Sequence, residues 1–94
     1  MKIPNRIKIG GLCYKVIKKD RLKGGGISKV GSVVPFYQKI WIDSTASQGI
    51  QETTLLHETL EVINDINDLG IEHHKLCVLE TFLYQVLKDN KLHF

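Results

Sequence analysis

Apolar and polar positions change period near residue 44 of the chain. Before that point they alternate in twos, the spacing of a strand with one buried face. Ile7 and Ile9 flank Lys8, and Gly10-Gly11 then supplies a tight turn. Leu12 to Lys19 (LCYKVIKK) alternates less regularly but is rich in strand formers, so 7–19 predicts a hairpin. Arg21 to Gly26 (RLKGGG) is the loosest stretch, because three successive glycines lose much entropy in any regular structure. Ser28 to Val34 predicts a short strand that Pro35 ends or confines to an edge. Tyr37 to Asp43 (YQKIWID) is the clearest strand, with Tyr37, Lys39, Trp41 and Asp43 on one face and Gln38, Ile40 and Ile42 on the other.

After residue 44 the period becomes helical. Ser44, Thr45 and Ser47 are candidate N-caps for a helix that starts near Gln48–Gln51 and runs to Asp68 or Leu69, with Gly70 just past its end. Leu55, Leu56, Leu60, Val62, Ile63, Ile66 and Leu69 share one broad arc of it. A second helix spans Glu72 to Lys88 or Asp89, with Leu76, Val78, Leu79, Phe82, Leu83, Val86 and Leu87 on its apolar arc. Strands followed by helices predict an α+β fold. We expect one domain over 1–94, β-rich in 1–43 and two-helical in 44–94. Its small antiparallel sheet of three to four strands should be followed by two long helices, packed on each other and on one sheet face.

Composition narrows the function. In 94 residues, 43% hydrophobic and 24% charged are globular values that argue against disorder. No apolar run approaches the ~20 residues of a membrane span. The start MKIPNRIKIGG lacks the apolar core of a secretory signal, so the expectation is a cytoplasmic protein with no membrane partner. Cys13 and Cys77 are then expected as free thiols. The net charge of +3 hides a split: residues 1–39 carry +9 and residues 40–94 carry −6. Such asymmetry suggests either a basic module for nucleic acid or two mutually attracting halves.

The stretch from Thr54 to Glu61 (TLLHETLE) is the most informative chemically. A zinc peptidase helix reads H-E-x-x-H, with two His one turn apart on the metal and the Glu activating its water. Here His57 and Glu58 match, and Glu61 stands at the second His position, still on the face of His57. Zinc accepts a carboxylate oxygen. The plainer reading is a solvated helix face, since His57, Glu61, Asn64, Asp65 and Asp68 share one polar arc. Glu80 falls on the margin of the second helix's apolar arc, where an unpaired carboxylate is costly, and suits a third ligand; the plainer reading is a boundary ion pair. His73 and Cys77, four apart, form a rival pair of ligand types; His74 and His93 are given no role.

Lys15, Lys18, Lys19, Arg21, Lys23 and Lys29 cluster around the hairpin and the glycine segment, a charge density that phosphate binding requires. Base-reading groups are few, and the glycines lack the Lys-Ser/Thr order of a phosphate loop. Nucleic acid is therefore the lesser expectation beside a protein or peptide partner.

Ile7-Lys-Ile-Gly-Gly, Tyr14-Lys-Val, Gln38-Lys-Ile-Trp-Ile-Asp43, Thr53-Thr-Leu-Leu-His57-Glu58 and Leu83-Tyr-Gln-Val-Leu-Lys-Asp-Asn90 together resemble the small phage- and prophage-encoded proteins with an H-E-x-x-H helix, similar to zincin-like metallopeptidases. The resemblance spans nearly the whole chain. It implies a minimal zincin-like fold, His57 as first ligand, Glu58 as general base and Glu80 as downstream ligand. It also implies zinc, or another divalent metal such as manganese, and a metal-dependent hydrolase. Glu61 in place of the second His adds a negative charge, so metal-bound water should be less acidic and harder ions better suited. Three functions follow: a hydrolase with a degenerate site, a catalytically silent phage protein that binds a protein partner, or a nucleic-acid accessory using the basic hairpin.

Overall fold

In the computed structural model, which describes residues 2–20, 22–24, 27–29, 31–34 and 38–93 (22–24, 27–29 and 32–34 by backbone alone), the two sequence periods become stacked layers. The described residues form β1 (Arg6–Ile9), β2 (Leu12–Lys19), β3 (Leu22–Gly24), β4 (Ile27–Lys29), β5 (Gly31–Val34), β6 (Lys39–Asp43), α1 (Gln48–Ile66) and α2 (His73–Asp89). Arg21, Gly25, Gly26, Pro35 and Tyr37, named above, lie outside the described residues.

The β1–β2 hairpin turns on Gly10 (φ +60) and Gly11 (φ +86). Two successive positive φ values make the turn that matches strand twist, and they favour glycine at both positions. Ile9 pairs with Leu12 and Arg6 with Lys15. The four-stranded sheet has the order β1-β2-β6-β5; β3 and β4 pair separately. The α+β architecture matches expectation, with two departures among its strands. The segment 21–26 was expected to lack regular structure, yet 22–24 pairs as β3 with β4. The sheet was expected to be antiparallel, yet its central pairing, β2 with β6, is parallel, Lys15 to Lys39 through Lys19 to Asp43. Burial sets which strand is central, and the connection through β5, antiparallel to β6, sets its direction. Ile40 and Ile42 are fully buried, so β6 takes the sheet centre, and its antiparallel partner β5 is left at the edge.

α1 lies on the inner face of the sheet. Ile3, Ile9, Tyr14, Val16, Ile40, Ile42, Leu55 and Val62 form one core, with Ile7 and Ile63 packed against it. The Ser47 hydroxyl caps α1 by accepting from the Ile50 N–H at 3.3 Å. Gln51 donates to the carbonyls of Ser44 and Ala46, tying the entry loop to the first turn. α1 ends earlier than expected. Its left-handed terminating residue is Asp68 (φ +49), not Gly70, and Leu69 N–H reaches back to the Asn64 carbonyl.

α2 runs antiparallel to α1, as the contacts Glu52–Lys88, His57–Glu80 and Glu61–His73 require. It was expected to pack on the sheet as well. It instead lies over α1 and meets the sheet at a margin, where Ile7 and Leu87 line one cavity. Of its apolar arc only Leu76 is buried, while Val78, Leu79, Phe82, Leu83 and Val86 are exposed. No described helix is long and apolar enough to cross a membrane.

Candidate functional site

Two polar clusters flank the seam between α1 and α2. The first centres on Glu52, whose side chain is inaccessible to solvent. Its Oε1 accepts from the Tyr84 hydroxyl at 2.6 Å and from Lys88 Nζ at 2.7 Å, and Oε2 accepts from Gln48 at 3.1 Å. The Lys88 and Tyr84 hydrogen bonds hold the Glu52 carboxyl down at about 2, against the opposing effect of burial. The same contacts push the Tyr84 hydroxyl and the Lys88 ammonium up. A cavity of about 540 Å³ lies beside this cluster, walled by Ile7, Leu55, Leu56, Leu87 and Leu92. It does not reach His57.

The second cluster is built on His57. The helical spacing turns Gln51, Thr54, Leu55, Glu58 and Val62 of α1 into the buried sheet-side line. His57 and Glu61 sit on the neighbouring line, under α2. The arc read as a solvated face is therefore partly covered: His57 is 19% exposed and Glu61 33%. Asn64 makes the turn between the helices definite. Its Oδ1 accepts from Ile71 N–H and its Nδ2 donates to Ile71 C=O, both at 2.9 Å. That clamp starts α2 beside the end of α1 and brings His73 opposite Glu61.

The distances define a chain of groups. His57 Nδ1 lies 3.3 Å from Glu80 Oε2, and His57 Nε2 lies 3.7 Å from Glu61 Oε1. The same Glu61 oxygen lies 3.5 Å from His73 Nδ1, and His73 Nε2 lies 3.4 Å from Cys77 Sγ. Glu61 Oε1 is buried and makes no hydrogen bond. The two imidazoles meet edge to face, 5.2 Å apart.

His57, Glu61 and Glu80, named from sequence, are thus neighbours, but the two carboxylates address opposite nitrogens of one ring. Among the described residues, two sets have ligand atoms mutually within 4.8 Å: His57, Glu61 and His73, and His57, Cys77 and Glu80. Each holds His57, and neither holds both glutamates. Sequence reasoning paired His73 with Cys77 and gave neither a connection to His57. The usable signal was the five-residue span from Leu69 to His73 with Gly70 inside it, which makes the helices neighbours. Glu58 is buried on the sheet-side line, and its Oε1 would lie 3.6 Å from a Cβ at Gly31 of β5. It faces the edge strand, not α2.

The basic residues divide differently. Lys15 stands on the outer sheet face in a cross-strand row with Arg6 and Lys39. Lys19 lies 5.8 Å from the centre of the Trp41 ring, and Lys18 is exposed at the strand end. Arg21 and the side chains of Lys23 and Lys29 lie outside what the structure describes. Cys13 and Cys77 are free thiols. The chain matches no family model, no curated protein and no solved structure.

Proposed function

We propose that this is a zincin-like, phage-type metal-binding protein that holds a divalent cation, zinc by donor type, between His57 Nε2, Glu61 Oε1 and His73 Nδ1. The observation that carries this reading is the buried Glu61 oxygen without a hydrogen bond, aimed between two imidazole nitrogens at 3.7 and 3.5 Å. Tetrahedral zinc with bonds of about 2.0–2.2 Å sets its ligand atoms roughly 3.3–3.6 Å apart. Two His and one Glu also form a recognised zinc donor set that leaves a fourth position open. The H-E-x-x-E helix then keeps the ligand count of H-E-x-x-H by exchange. Glu61 supplies the carboxylate, and α2 supplies the second His.

Glu80 and Cys77 become positioning residues. A ligating His is generally oriented by a carboxylate on its other ring nitrogen, and Glu80 stands at His57 Nδ1. Cys77 stands likewise at His73 Nε2. In the host cytoplasm, the expected location, that thiol stays reduced. Hydrolysis with Glu58 as general base has less support, because Glu58 faces β5 on the opposite side of α1 from α2. The domain is best read as a metal-binding descendant of a peptidase fold.

Calorimetric titration of metal-stripped, untagged protein with zinc or manganese tests the reading. One ion per chain, lost in His57→Ala and His73→Ala but retained in Cys77→Ser, is expected. Absence of stoichiometric binding, or loss confined to Cys77→Ser and Glu80→Gln, rejects this ligand set. A second reading, contact with nucleic acid, draws on the row Arg6–Lys15–Lys39, since like charges directly opposed across strands are destabilising without an anion. Binding to DNA that weakens steeply with salt would support it; no binding at low salt would end it.

A further inference from the structure

The outer side of α2 carries an apolar stripe with an internal symmetry. Val78, Leu79, Phe82, Leu83 and Val86 are 40–65% exposed, Phe82 the most. Soluble monomers rarely leave so contiguous an apolar patch in water. The stripe is centred on Phe82. Val78 and Val86 lie four residues either side of it, and Lys75 and Asp89 lie seven residues either side. Seven residues are two helical turns, so Lys75, Phe82 and Asp89 fall on one line, with Val78 and Val86 flanking it symmetrically. The line is about 21 Å long, positive at the N-terminal end and negative at the C-terminal end.

We infer that the partner of this face is a second copy of the chain, with the two α2 helices packed antiparallel about a two-fold axis at Phe82. Such an axis sets each Lys75 against Asp89 of the other copy, Val78 against Val86, and Phe82 against its equivalent. A two-fold interface must be complementary to itself, and the line of Lys75, Val78, Phe82, Val86 and Asp89 satisfies that condition in charge and apolar position, while Leu79 and Leu83 have Gln85 and Thr81 at the mirrored positions and flank it. A parallel pairing would set Lys75 against Lys75 and Asp89 against Asp89. The His57-centred cluster meets α2 on its other side, on the line of His73, Cys77 and Glu80. The dimer therefore leaves that cluster open and stands independently of the metal-binding proposal.

One helix pair is smaller than the roughly 800 Å² per partner of a standard interface, so the dissociation constant is expected on the order of 10 μM. Sedimentation equilibrium of the full chain from about 1 to about 300 μM brackets that value. The mass is expected to rise from 10.7 kDa to twice that. Lys75→Glu should weaken association about 10-fold, because symmetry applies the repulsion twice. The double exchange Lys75→Glu/Asp89→Lys should return it to within about 2-fold of wild type, since the pairing is restored with reversed sign. Phe82→Asp, at an exposed position, should abolish it while helical circular dichroism is unchanged. A wild-type chain that stays monomeric throughout overturns the inference. A dimer in which the double exchange is no better than Lys75→Glu overturns the antiparallel geometry.

Discussion

The two polar clusters on the α1–α2 seam use the same helices and similar residue types, yet they are built to opposite standards. Around Glu52 the contacts are 2.6, 2.7 and 3.1 Å, and the carboxylate is surrounded by donors. Around His57 the separations are 3.3 to 3.7 Å, and one buried carboxylate oxygen has no hydrogen bond. Short contacts from several donors are what a buried charge needs to be tolerated in a fold. Longer spacing between ligand types, with an acceptor left over, is what a cation needs. The first cluster is expected to support the fold and the second to bind, and the two roles should separate under mutation.

The largest expected effect is His57→Ala, which should weaken zinc at least about 100-fold while shifting metal-free stability by less than about 1 kcal/mol. Titration calorimetry and urea unfolding read the two quantities separately. Equal losses in both would erase the contrast. Glu80→Gln should weaken zinc less, about 10-fold, as removal of an orienting carboxylate does. A loss as large as that of His57→Ala would make Glu80 a direct ligand. Tyr84→Phe should do the reverse, lowering stability by about 1–2 kcal/mol through a lost charge-assisted hydrogen bond and leaving zinc affinity unchanged.

The smallest effect is in the pH profile. Glu52 has its carboxyl lowered from 4.5 to about 2, so its contribution is present above pH 4.5 and is lost as pH falls towards 2. Urea unfolding across that window should flatten in Glu52→Gln relative to wild type. At the alkaline end the raised Tyr84 hydroxyl works in the other sense, with stability present below its ordinary value of 10 and lost above it. A Glu52→Gln profile that coincides with wild type at low pH would show that another carboxylate governs acid unfolding.

How much of this was legible depended on range. The Gly10-Gly11 hairpin, the Ile40 and Ile42 face of β6 and the Ser47 cap are decided by neighbours in sequence, and all three can be read there. The parallel β2–β6 pairing is decided by which strand best fills the sheet centre, a contest between distant segments. The helix periodicity gave α2 an apolar arc but not its partner, and Val78 to Val86 turned outward because α1 already covers the inner sheet face. The site divided in the same way. His57 and Glu61, one turn apart, were readable as a pair. That His73 would complete their set depended on the Asn64–Ile71 clamp, a contact no periodicity encodes.

The parallel central pairing also bears on how the chain can vary in length. Each β6 residue pairs with one located 24 positions earlier, so the sheet closes around an excursion and not across a short turn. Closure entropy grows slowly with loop length, about 0.6 kcal/mol for each doubling. Residues between β2 and β6 can therefore be inserted or removed cheaply, provided β5 keeps its place beside β6. The same topology is expected to slow formation of the central pairing, a non-local contact, relative to the two helices, which meet across a short turn.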